Sequence, residues 1–62
     1  MLVNDKEVNF KGNLKELLLS LNYPTEKIVV LVNGEIVKKE NWDNVELRDE
    51  DYIEIVSLVG GG

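Results

Sequence analysis

Three of the five glycines in this 62-residue sequence are consecutive and stand last, as Gly60-Gly61-Gly62. Such a run packs against nothing and caps no helix, so it is expected to be mobile and extended. Its chemical asset is the α-carboxylate of Gly62, carried on a strip of backbone thin enough to thread into another protein's active-site channel. With a pKa of about 3.5 that group is ionised at neutral pH and ready to act as a nucleophile. Gly62 is thus the candidate reactive residue, and Gly60 and Gly61 are the candidate segment that enters a partner. A terminus that is merely frayed is the plainer reading of the same residues.

Few other residues are equipped for chemistry. The sequence has no His and no Cys, hence no imidazole base, no thiolate nucleophile and no disulfide. Zinc needs those same ligands and is not expected. Asp49-Glu50-Asp51 are consecutive and lack the alternate spacing and glycine of a calcium loop. A chain this short has one small core and no volume left for a deep ligand pocket. The expectation is a protein that is not an enzyme and binds no cofactor of its own.

Charge narrows the partners. Twelve acidic against seven basic residues give a net charge of −5, which a nucleic-acid backbone would repel. An acidic surface suits a basic protein partner, although solubility alone accounts for it equally well. No run approaches the ~18 apolar residues of a membrane span, and no basic segment precedes an apolar one. A cytoplasmic protein is expected, with no membrane association.

The elements that must position the tail read clearly from periodicity. Met1-Leu2-Val3, Asn4-Asp5-Lys6-Glu7 and Val8-Asn9-Phe10 read as strand, turn and strand. Asn13 is a good helix N-cap, with Glu16 three residues on completing a capping box. Leu14, Leu17, Leu18 and Leu21 then follow the i, i+3, i+4, i+7 spacing of an amphipathic helix. Asn22 and Pro24 stop it. Ile28–Val32 is an unbroken apolar run, expected to be an interior strand. Asn33-Gly34 is a strong hairpin signal, returning through Glu35-Ile36-Val37. Lys38 to Asn44 is a polar connection in which Trp42 is expected to lid the core. Arg48-Asp49-Glu50-Asp51 is a turn into a last strand from Tyr52 to Leu58.

The order is β-β-α-β-β-β, an α+β arrangement with a mixed sheet of four to five strands packed on one main helix. That is the β-grasp, or ubiquitin-like, fold, with a domain over residues 1–58 and a flexible tail over 59–62. First and last strands can lie side by side in parallel, joined through the helix. Alternation puts Ile53 and Ile55 on one face of the last strand and Tyr52, Glu54, Val56 and Leu58 on the other. If the first face meets the helix, Val56 and Leu58 are exposed beside Val59 and the tail. By the same logic Val29 and Leu31 are exposed on the third strand. These five residues are the candidate partner-binding surface, rimmed by Glu46, Asp51 and Glu54. A thin sheet with unavoidable exposure, or a homodimer, are the competing explanations.

The whole chain resembles the ThiS family of sulfur carriers of thiamine biosynthesis. The resemblance is carried by Val3-Asn4-Asp5, the Asn13–Leu21 helix, Leu31-Val32-Asn33-Gly34-Glu35-Ile36-Val37 and Trp42. It continues through Leu47-Arg48-Asp49-Glu50-Asp51-Tyr52-Ile53-Glu54-Ile55-Val56 and ends in Val59-Gly60-Gly61-Gly62. Glu50 departs from it, since the family usually has Gly between the two aspartates. The resemblance implies that a ThiF-like adenylyltransferase uses ATP to convert the Gly62 carboxylate to an acyl-adenylate. Sulfur from a cysteine desulfurase or sulfurtransferase relay then displaces AMP and leaves a thiocarboxylate. A ThiG-like thiazole synthase receives that sulfur. The small subunit of molybdopterin synthase, other MoaD-type sulfur carriers and ubiquitin-like protein modifiers share the fold and tail and remain open at this point.

Overall fold

Two short turns, each built on an asparagine, set the register of the sheet. Asn4 and Asp5 take φ of 50° and 68°, the left-handed region that asparagine and aspartate tolerate better than most residues. They turn strand β1 (Leu2–Val3) at once into β2 (Lys6–Glu7), pairing Leu2 with Glu7 and Val3 with Lys6. Asn33 and Gly34, at φ 52° and 86°, do the same between β3 (Ile28–Val32) and β4 (Glu35–Val37). Both turns have the mirror-image backbone that matches strand twist.

The structure, a computed structural model, describes residues 1–58. Its helix α1 (Leu14–Ser20) begins where the side chains dictate. The Asn13 Oδ1 accepts from the Glu16 backbone N–H at 2.8 Å, and Glu16 Oε1 accepts from the Asn13 N–H at 3.0 Å. Gly12 makes room for this box, since a Cβ there would stand 2.6 Å from Glu16 Oε1. The helix ends when Asn22 swings to φ 61°, letting the Tyr23 N–H return to the Leu18 carbonyl at 3.2 Å.

A five-stranded mixed sheet of order β2-β1-β5-β3-β4 has β5 (Tyr52–Ser57) at its centre. β5 runs parallel to β1 and antiparallel to β3. One face lies under α1, where Met1, Val3, Ile28, Val30, Ile53 and Ile55 meet Leu14, Leu17 and Leu18 in the core. Trp42 closes it from a 3-10 helix (Lys39–Asn44), 2% exposed, with its Nε1 donating to the Val37 carbonyl at 2.9 Å. The β-β-α-β-β-β order and the β-grasp arrangement match the sequence reading.

Three details differ from it. The second strand is Lys6–Glu7, not Val8–Phe10, because a two-residue turn is enough. Val8 and Phe10 pass beyond the strand and pack half-buried against the core. Leu21 falls at the helix C-cap and is 38% exposed, because the helix stops one residue earlier than its leucine pattern. Asp51 is not a rim residue. It is buried, accepting from Asn33 Nδ2 at 3.0 Å and from the Arg48 N–H at 2.8 Å.

Candidate functional site

The sheet face turned away from α1 is the candidate docking surface, and the strand register assembles it. Val29 stands opposite Val56, and Leu31 opposite Glu54 on one side and Ile36 on the other. Leu2 stands opposite Tyr52. Because directly paired residues point to the same side of a sheet, these side chains form one continuous face. Val29 and Leu31 are half-buried there, while Val56, at the end leading to Leu58, is 50% exposed. Leu58 lies just past the strand, 53% exposed, its N–H donating to the Lys27 carbonyl at 2.7 Å. That bond extends the ladder to the last described residue.

Two residues of this face escaped the sequence reading. Among the described residues Ile36 is the most exposed large apolar side chain, at 68%, and Leu2 is 39% exposed. The signal for Ile36 was present, since a two-residue Asn-Gly turn places residue 36 opposite residue 31. Leu2 follows from its alternation with the buried Met1 and Val3. Of the expected acidic rim, Glu54 belongs to the face. Glu46 does not, since it bridges to Asn13 beside the helix N-cap. Val59, Gly60, Gly61 and Gly62 lie outside the described residues.

The strand that leads to the tail is held on both flanks by asparagine side chains. The Asn4 amide mimics a strand residue, its Oδ1 accepting from the Ile55 N–H at 2.8 Å and its Nδ2 donating to the Ile55 carbonyl at 3.2 Å. On the opposite flank the Asn33 Oδ1 accepts from the Tyr52 N–H at 2.9 Å while the Asn33 backbone N–H donates to the Tyr52 carbonyl at 2.8 Å. Asn4 thereby lengthens the pairing of a two-residue β1 along the central strand.

Among the described residues the titratable group whose pKa is clearly displaced is Tyr52. The Tyr52 hydroxyl donates to Asp5 Oδ1 at 2.8 Å. That bond, then burial and the negative charges of Asp5 and Glu54, raise its pKa above the usual 10.0. A neutral tyrosine at physiological pH is a surface hydrogen-bond donor and not a base. Among the described residues no group of three His, Cys, Asp or Glu side chains is placed to hold a metal. No helix among them is long and apolar enough to cross a membrane. A shallow depression is lined by five consecutive residues of one loop, Tyr23, Pro24, Thr25, Glu26 and Lys27.

Comparison with known proteins agrees along the chain's whole length. The ThiS family model matches residues 1–62. The "Sulfur carrier protein ThiS" of Bacillus subtilis (strain 168) is 43% identical over 63 residues, covering 97% of this chain and 96% of that protein. A "Thiazole synthase" of Paramagnetospirillum magneticum is 36% identical over 64 residues, which take in 100% of this chain but 20% of that longer protein. The crystal structure of the thiamine biosynthesis protein ThiS from Geobacter metallireducens superposes with a TM-score of 0.83 at 32% identity. The superposition covers 98% of this chain and 96% of that one.

Proposed function

The chain belongs to the ThiS family, a sulfur carrier of thiamine biosynthesis and not an enzyme, and from that premise we propose how its own residues serve the transfer. The Gly62 carboxylate is the carrying group. It attacks the α-phosphate of ATP in the active site of an adenylyltransferase, and pyrophosphate leaves. The product is an acyl-adenylate whose carbonyl now has a good leaving group, AMP, in place of an oxide. The terminal sulfur of a persulfide on a desulfurase or sulfurtransferase relay attacks that carbonyl and AMP leaves, giving an acyl disulfide. A second thiol then attacks the relay's own sulfur and the S–S bond breaks. The relay leaves as a disulfide with that thiol, and the thiocarboxylate remains. That group is soft and nucleophilic at neutral pH, and it passes its sulfur to thiazole synthase.

Gly60 and Gly61 bring no side chain to either active site, so the tail meets no steric clash on entry. Val29, Leu31, Val56 and Leu58, with Val59 leading into the tail and Ile36 added from the structure, form the surface on which the partners dock. Burial of such an apolar patch, with Glu54 within it to meet a basic partner, would bring the tail to the active-site mouth.

The observation that carries this reading is the likeness to a sulfur carrier over 97% of this chain and 96% of that protein. A thiazole synthase holding a stretch similar to the whole chain supports that enzyme as the acceptor. The test is the intact mass of the full chain after incubation with ATP, the adenylyltransferase and a sulfur source. Replacement of one oxygen by sulfur, mapped to Gly62, is expected. An unmodified mass, from an enzyme active on a control carrier, would overturn the proposal.

A further inference from the structure

Asn33-Gly34 is the one Asn-Gly pair in the sequence, and its amide is placed where chemistry and folding oppose each other. Asparagine is thermolabile, and glycine as the next residue leaves the attacking backbone nitrogen unshielded. The space beside Gly34 is open as well, since nothing beyond its chain neighbours lies within 4 Å of where a Cβ there would stand. Yet the Asn33 side chain is turned to β5. Its Nδ2 donates to Asp51 Oδ1 at 3.0 Å and its Oδ1 accepts from the Tyr52 N–H at 2.9 Å. Attack by the Gly34 nitrogen on Cγ requires both bonds to break and the side chain to swing back along its own backbone.

We propose that Asn33 is a deamidation site gated by folding: clasped to β5 its amide persists, and once the β3–β4 hairpin opens it converts to an acid that no longer fits. In the conversion the Gly34 nitrogen bonds to Cγ of Asn33, closing a five-membered imide. The Cγ–Nδ2 bond breaks and the nitrogen departs as ammonia, taking the Gly34 proton. Water then opens the ring at either carbonyl, giving aspartate or isoaspartate. Water enters, ammonia leaves, and nothing is oxidised or reduced.

The product is a misfit for a local reason. A carboxylate at position 33 has no proton to donate to Asp51 and faces it as a second negative charge. Asp51 is buried and already holds the Arg48 N–H. Isoaspartate is worse, because it adds a backbone atom to a two-residue turn and disturbs the pairing of Leu31 with Ile36. Each opening of the hairpin therefore risks a permanent mark, located where the apolar face is assembled.

The full chain is held at mildly alkaline pH in native buffer and in urea spanning its unfolding, and conversion is followed by intact mass and peptide mapping. Conversion at Asn33 should be about tenfold or more slower in native buffer than in the unfolded chain, because only the opened population reacts. Equal rates, or native-state conversion at other asparagines ahead of Asn33, would overturn the gating. Asn33→Asp and Asn33→Gly both lose the donor. Asn33→Asp keeps an acceptor for the Tyr52 N–H that Asn33→Gly forfeits, yet it alone adds charge against Asp51, so Asn33→Asp should still have the lower urea midpoint. Equal midpoints would overturn the misfit. Should neither variant fold, chain converted in urea and returned to buffer decides it. Full recovery of native Trp42 fluorescence would then count against the proposal.

Discussion

Replacing Asn4 by alanine should remove a large share of the chain's stability without touching its apolar core. The side chain makes two hydrogen bonds to the central strand, at 2.8 and 3.2 Å to the N–H and carbonyl of Ile55. At about 1 kcal/mol net each, their loss costs roughly 2 kcal/mol. Alanine must also hold φ at 50°, a left-handed backbone costing an L-residue with a Cβ about 1–2 kcal/mol. The sum is about 3–4 kcal/mol. At about 0.05–0.15 kcal/mol per residue, a 62-residue chain has roughly 3–9 kcal/mol in all. Asn4→Ala should therefore lose a third of its stability at the least. Asn4→Gly separates the two causes, because glycine accepts the backbone angle and forfeits only the bonds, for about 2 kcal/mol. Urea unfolding read by the buried Trp42 gives both values. Asn4→Gly as stable as the parent would show that the clasp contributes nothing. Asn4→Ala equal to Asn4→Gly would show that the positive φ is free of strain.

Three other perturbations test other parts of the structure. Leu58→Glu, at a side chain 53% exposed, should shift stability by no more than about 0.5 kcal/mol and weaken binding to the adenylyltransferase at least about tenfold. Calorimetric titration checks the affinity, and loss of folding would reveal Leu58 as core. Asn13→Ala removes the capping box of a seven-residue helix and should cost about 1 kcal/mol in urea unfolding. Asp5→Asn should lower the Tyr52 pKa back toward 10.0 in an ultraviolet phenolate titration, since the bond to Asp5 is its largest cause. The parent's pKa is raised in the folded state. The stability this group contributes is thus fully present below pH 10 and lost as pH climbs through the raised value, a loss the variant should show less.

Local rules made most of this fold legible. The Asn13–Glu16 box, the leucine spacing of α1 and the Asn33-Gly34 turn each name their structure because the cause lies within a few residues. Trp42 as a lid followed from one large aromatic in a polar stretch. The second strand was misplaced because Val8 and Phe10 alternate like a strand yet serve as packing for the core. Asp51 was read as a rim charge because its partners, Asn33 and Arg48, become neighbours only through folding. The outer face is legible in outline. Val56 and Leu58 are exposed as expected, whereas Val29 and Leu31, covered by their neighbours on β4 and β5, are half-buried rather than exposed. Ile36 joins that face only through the β3–β4 register, which sets it opposite Leu31. Nothing local marks Asn4 as a clasp, since its partner Ile55 lies 51 residues away along the chain.

The central position of β5 has a mechanical consequence. A partner that draws on the C-terminal end of the chain pulls along the axis of a strand flanked by β1 on one side and β3 on the other. Load in that direction is shear, so the β3 ladder, the Leu58–Lys27 bond and the Asn4 clasp share it and must yield together. An edge strand peeled sideways would give up its bonds one by one at a far lower force. A pull of that kind would be shared by the two ladders that flank β5.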